Sequence, residues 1–400
     1  MDFITVSLDD ASNNLLRKKF DEFEKDFREA VNLQQYDWDN IWRELVNVGI
    51  YGHGADLAEI GSTWLESLVA MNALVPFSQK EFAFIGGKQA FFPASWQNVF
   101  SAYDNNIWGV PSRLDVRVIF YWRDMFETAG VDAEQAFSST ETIRDAFLEL
   151  QRVIAHPWGV VTTKSAHNSI HNVSSWVWES GGEFVTDDGK KLSISTNATR
   201  HGLRKYFDLF AFMPPECRNC SVLEASELFA SRKIAATIAG PELIGNLKQA
   251  GLPKDMISRV GVTSPPGPSF VGGTVLVRWK HSRKTDLAWE LIKRLSEKDF
   301  NIEFSETTNL LPIRQEAWTD EFQSQDERLP AYLKGILGGR GLPIVPLWGM
   351  IEDRLATTLG NIWEEIYSIQ GPLKHGELDS ILSKHFEPLA VRLEMALNKN

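Results

Sequence analysis

Residues 108–130, reading WGVPSRLDVRVIFYWRDMFETAG, pass from a Trp-Gly-Val-Pro turn through a strand into a helix. Leu114, Val116, Val118 and Phe120 recur at the period of two that buries one face of a strand. The aromatic pair Tyr121-Trp122 then leads into Arg-Asp-Met-Phe-Glu-Thr-Ala-Gly, a helix former closed by glycine. Asp115 and Arg117 lie within the strand and Arg113 just before it, so these charges either face water or line a polar cavity.

The same strand-then-helix order opens the chain. Ile4–Leu8 reads as a short strand, and the run Asp9 to Asn14 supplies turn and capping residues before a helix over about Leu15–Phe27. Polar groups at the carboxyl end of a parallel strand sit where open α/β sheets bind ligands, so Asp10 is either a ligand contact or a helix cap. A second strand follows over Ala30–Gln35, then a helix carrying Trp38 and Trp42, with Trp38 expected on the surface at its start. A third strand ends near Ile60, and Leu65, Leu68, Val69 and Leu74 fall at helical spacing after it. Later segments read as a capped helix in SSTETIRDAFLELQRVI and a strand over Val160–Thr163.

A length of 400 residues gives two to three domains at roughly 150 residues each. A formal charge of -12 argues against a protein that works by neutralising nucleic-acid phosphates. No apolar run of roughly 18 residues occurs, so no membrane-spanning helix is indicated. The opening MDFITVSLDD lacks the regions of a signal peptide, which leaves a cytosolic protein or one whose leader has been removed; a start almost directly in a strand favours the second.

Cys217 and Cys220, in PPECRNC, are the only cysteines. Such a pair is redox-active, half of a metal site, or a small disulfide loop. No second pair exists to complete a zinc site, and the segment reads as a surface loop, so a disulfide is expected. His167 and His171 stand four apart without a neighbouring third ligand, and no metal is expected there either. The chain contains no Gly-x-Ser-x-Gly, no phosphate-cradling Gly-x-x-x-x-Gly-Lys-Ser/Thr, no Gly-x-Gly-x-x-Gly and no His-Glu-x-x-His, so no catalytic residues or cofactors are assigned. Plentiful carboxylates leave a glycosidase with paired acids as the alternative.

Several of these stretches, in this order, resemble the bacterial extracellular solute-binding proteins of the maltose-binding type, the receptors of ABC sugar importers. The carriers are the Gly-Val-Pro crossing segment; ADLAEIGSTWLESLVAMNALVPF; Trp178-Glu179-Ser180-Gly181-Gly182-Glu183-Phe184 followed by Asp187-Asp188-Gly189-Lys190; ELFASRKIAATIAGPELIGNLK; HSRKTDLAWELIKRL with its Leu-Pro-x-Arg sequel; and VPLWGMIEDRLATTLGNIW. In the third of these, the paired glycines and the Asp-Gly hairpin look structural.

The resemblance implies an α/β, two-lobed periplasmic-binding-protein-like fold of type II, each lobe a mixed sheet flanked by helices, with a ligand cleft between lobes. The expected lobes are residues 1–112 with 269–315, and 113–268 with 316–400. It further implies that the loop with Ser62 and Trp64 meets the ligand, and that His167, Asn168 and Trp176 approach it from the second lobe. Glu242 occupies the place after Gly240-Pro241 where the family often carries an aromatic, which suggests a hydrogen-bond acceptor instead of a stacking face. Gly272-Gly273 offers backbone for a close approach, and Trp348 falls where the maltose-binding type stacks a sugar.

A sugar presents apolar C–H faces and hydroxyl edges, which suits flat rings combined with carboxylates, amides and Arg forks. The 14 Trp exceed what two cores obviously need. Trp38, Trp64 and Trp348 are therefore expected to stack, Asp10, Asp115 and Glu242 to accept hydroxyl protons, and Arg113 to donate. The expected partners are a carbohydrate and an ABC permease, with the protein a periplasmic or extracellular monomer.

Overall fold

The computed structural model describes residues 1–101, 104–165, 168–186, 191–308, 310–342, 348–369, 373–374 and 376–397. In chain order the described strands are β1 (Asp2–Val6), β2 (Asn32–Tyr36), β3 (Leu57–Gly61), β4 (Leu74–Val75), β5 (Val110–Val116), β6 (Val118–Trp122), β7 (Ala236–Ala239), β8 (Val260–Thr263) and β9 (Val271–Trp279). They fall into two compact units, one of Met1–Asp115 with Val271–Glu327 and the other of Val116–Phe270 with Arg328–Asn400.

In the first unit β1 pairs in parallel with β2 and β3, while β9 runs antiparallel between β3 and β4 and also pairs with β5. Residues of β3 are buried throughout, as a strand covered on both faces requires. Ile4, Ile41, Leu45, Ile60, Leu68 and Trp279 make its apolar core. The first helix begins at Asp10, earlier than the apolar period alone suggests, because Asp9 caps it by accepting from the Ser12 N–H at 2.8 Å.

The segment 316–327, expected with the second lobe, belongs to the first unit. Trp318 decides this. Its ring packs edge-on against Phe92 at 6.0 Å, and its indole N–H donates to the Pro312 carbonyl at 2.9 Å.

In the second unit β6 lies between β7 and β8, antiparallel to both. The continuous strand expected across 114–120 is broken at Arg117, whose N–H donates to the Phe270 carbonyl at 2.9 Å. Helices carry most of this unit's core, which is aromatic. Trp158, Trp176, Tyr206 and Trp363 follow one another at ring separations of 6.2, 5.1 and 5.8 Å. Gly202 permits this, since a Cβ there would stand 2.4 Å from the Trp176 carbonyl oxygen.

Two expectations are corrected here. Trp122, Trp158, Trp176, Trp279, Trp348 and Trp363 are all fully buried, so tryptophan abundance reflects core packing more than binding. Val160–Thr163 forms no strand. Its polar groups are taken by the cysteine loop: the Thr162 and Thr163 N–H groups donate to the Cys220 carbonyl, and the Cys220 N–H donates to Thr162 Oγ1 at 2.8 Å.

Candidate functional site

At the end of β3 in the first unit, Gly61 lets three tryptophans converge. A Cβ at Gly61 would meet the Trp64 ring at 3.3 Å and the Trp38 ring at 3.5 Å. Ser62–Trp64 forms a single tight turn leaving the strand. Trp38 opens the next helix to the side, whose N-cap Asp37 accepts from the Asn40 N–H at 2.9 Å. Trp64 lies 5.5 Å from Trp38 and 5.4 Å from Trp42. Trp64 is 6% exposed and belongs to the core, whereas Trp38 is 53% exposed. Trp38 therefore presents the open ring face, and Trp64 is the buried ring against which it is set. Asp10 is exposed in the first turn of its helix, beyond the end of β1.

Beside β3 a second arrangement was not foreseen. Glu59, buried within the sheet, accepts from Thr5 Oγ1 at 2.7 Å, from Thr274 Oγ1 and from Arg113 Nη2. Arg113 also donates to Thr5 Oγ1 at 3.1 Å and lies over the Phe304 ring at 5.5 Å. It borders a recess of about 450 Å³, open solvent included, whose other walls are mostly apolar. Arg113, expected to donate to a ligand, is thus the counter-ion of Glu59.

The glycines 272 and 273 lie within β9. Gly273 takes φ 130°, and a Cβ there would come within 1.9 Å of the Arg113 carbonyl oxygen. The backbone it approaches is that of β5, which accounts for a glycine at this position.

Glu66, two residues beyond Trp64, is another residue missed in the sequence. Burial pushes its carboxyl above the usual carboxylate range, and the Asp104 carboxylate adds to the shift. Asp104 itself accepts from the Trp108 indole N–H at 3.0 Å.

In the second unit, a recess of about 320 Å³, open solvent included, is lined by Arg117, Asn168, Asn172, Ser226, Glu242 and Asn246 among others. Arg117 Nη1 donates to Glu242 Oε1 at 3.1 Å and Nη2 to Asn168 Oδ1 at 3.4 Å. Asn246 donates to Ser226 Oγ at 3.2 Å. Asn172 Oδ1 is buried with no hydrogen-bond partner among the described residues. Asn168 and Glu242, both expected in a site, are brought together here through Arg117. Their companions had a signal: Asn172 and Asn246 each stand four residues on, on the same helical face.

His171 Nε2 lies 2.9 Å from Glu352 Oε1, and its ring stacks on Phe270 at 4.0 Å. Trp348 stands one helical turn before Glu352 and is 1% exposed, so the face expected for stacking is covered. Trp176 is part of the aromatic core, which corrects its assignment as a contact. Asp115 ends the first unit, partly buried. His167 and residues 187–190, read in the sequence as a hairpin, lie outside the described residues.

The disulfide expectation is also corrected. Cys217 and Cys220 are free thiols, 0% and 1% exposed, in a loop drawn inward by Thr162 and seated over Gly159. The adjoining Cys217 thiol and burial push the Cys220 thiol up, away from thiolate. Among the described residues no His, Cys, Asp and Glu grouping could hold a metal ion, and no helix is long and apolar enough to cross a membrane.

Residues 18–331 match the family model of bacterial extracellular solute-binding proteins. A binding protein of Brucella abortus is 22% identical over 380 residues, covering 91% of this chain and 87% of its own length. The sugar-binding protein MalE from Xanthomonas citri superposes with a TM-score of 0.81 at 18% identity, over 100% of this chain and 98% of that one. An ABC transporter solute-binding protein from Thermotoga lettingae, bound with α-D-tagatose, gives 0.77 at 20% identity, over 95% and 98%. At such identities the likeness speaks for the fold, a two-lobed α/β architecture.

Proposed function

Because this chain belongs to the bacterial extracellular solute-binding protein family, we propose that it captures a carbohydrate or polyol for an ABC importer. Members of the family are transport receptors and not enzymes, they work with ABC permeases, and their place is periplasmic or extracellular. The family match over residues 18–331 carries the reading of a solute receptor. The carbohydrate class is supported by two similar proteins, one described as sugar-binding and one bound with tagatose.

The chemistry of the candidate groups in each unit, taken separately, agrees with that class. Trp38 offers an open aromatic face for the C–H side of a sugar ring, held by Trp64 behind it. Asn168, Asn172, Ser226, Glu242 and Asn246 offer the mixed donors and acceptors that hydroxyl groups need.

The test is a tryptophan-fluorescence titration of the ligand-free protein against neutral mono-, di- and oligosaccharides and polyols, with product analysis on each mixture. Saturable quenching or enhancement without product is the expected result. Silence across the panel would move the reading to another solute class, and product formation would sink the receptor reading.

A further inference from the structure

We infer that Glu242 sets the charge class of the solute: its carboxylate holds, from within the chain, the position on Arg117 that an anionic solute would otherwise take, so the recess favours uncharged, hydroxyl-bearing molecules. This rests on the solute-receptor reading and adds to it a solute charge and the residue responsible for it.

The two partners are unequal in freedom. The Arg117 side chain is 6% exposed and that of Glu242 is 33% exposed, so the carboxylate is the one that solvent and solute reach. Arg117 is anchored from several directions. Its backbone N–H is bonded to Phe270, its Nη2 to Asn168, and its Nη1 to Glu242. A guanidinium so placed cannot retreat to water, and its fork geometry fits a carboxylate from whatever source. Glu242, the first residue of the helix Glu242–Gln249, supplies that carboxylate internally.

An arriving anion would have to displace Glu242 or lie beside it, and either course sets like charges together. The rest of the lining points the same way. Asn168, Asn172, Ser226 and Asn246 are neutral, the remaining walls are uncharged and mostly apolar, and Asn172, a residue 1% exposed, carries in Oδ1 an acceptor lacking a donor among the described residues. A hydroxyl supplies such a donor and a carboxylate does not. Removing the Glu242 charge removes that repulsion, whether or not the hydrogen bond to Nη1 is kept.

The experiment compares the wild type with E242A and E242Q by calorimetric titration against a matched series: D-glucose, D-glucuronate and D-glucosamine. Circular dichroism establishes that each variant is folded, and E242Q keeps the size and hydrogen bonding of the native residue should E242A not fold. The wild type is expected to take glucuronate at least tenfold more weakly than glucose, or not at all. Both variants should gain at least tenfold in glucuronate affinity over the wild type, with a gain that shrinks as salt rises.

Two results would overturn the inference: a wild type that takes glucuronate or glucosamine more readily than glucose, or folded variants with no gain for glucuronate. Failure of the receptor reading looks different. It appears as silence of the wild type across the whole neutral panel, whereas the glucuronate gain is measured between each variant and its own parent.

Discussion

The ring of Trp38 meets that of Trp64 edge to face at 5.5 Å, with one partner 53% exposed and the other 6%. Two tryptophans that look alike in the sequence therefore separate into a binding surface and its support. W38A should lower saccharide affinity at least tenfold, about 1.4 kcal/mol, while leaving the unfolding midpoint nearly unchanged. W64A should cost about 3–5 kcal/mol of stability, as large-to-small changes of buried aromatics do. Denaturant unfolding beside fluorescence titration separates the two; equal loss of stability in both would remove the distinction.

Glu59 and Arg113 form a buried pair, and breaking it from either side strands a charge inside the sheet. E59A or R113A alone should cost about 3–5 kcal/mol. The double variant E59L/R113M, which removes both charges and keeps the volume, should recover most of that loss. A double variant as unstable as the singles would show that Thr5 and Thr274 depend on the carboxylate more than Arg113 does.

Lys205, bonded to Glu141, holds that carboxyl down to about 2 from an ordinary 4.5. A depressed carboxylate stabilises the folded state fully above its unfolded pKa and stops doing so as pH falls through its folded one. The stability difference between wild type and E141Q should therefore be constant at neutral pH and close between about 4.5 and about 2. Since the Glu141 side chain is 65% exposed, the difference should stay under about 1 kcal/mol. Urea titrations at a series of pH values measure it, and a gap at pH 2 as large as that at neutral pH would contradict the pairing.

Cys217 and Cys220 are buried and free, with Cys220 pushed away from its thiolate form. Iodoacetamide at pH 8 should leave the folded protein unmodified over hours, and the same reagent in guanidinium should label both thiols. Mass spectrometry of unreduced, denatured protein reads the count directly. Two unlabelled cysteines there would mean that they are joined.

Most of the strand and helix order was legible in the residues, because it depends on neighbours a few positions away, and the acidic character of the chain is a matter of composition. The helical spacing of Asn168 with Asn172, and of Glu242 with Asn246, was present as well, though only the first member of each pair was singled out. What local pattern cannot carry is the partner of a charge or the depth of a ring. Arg113 and Arg117, two positions of alternation apart in an apolar stretch, read alike. Yet one is spent on Glu59, 54 residues away, and the other on Glu242, 125 residues away.

Trp38, Trp64, Trp176 and Trp348 share one side-chain chemistry and differ only in what packs over them, from an open face to none. The sequence by itself determined most of the elements and which kinds of groups the chain carries. Tertiary structure alone decided which of those groups remain available, because burial and ion pairing are settled between segments that meet only when the chain has folded.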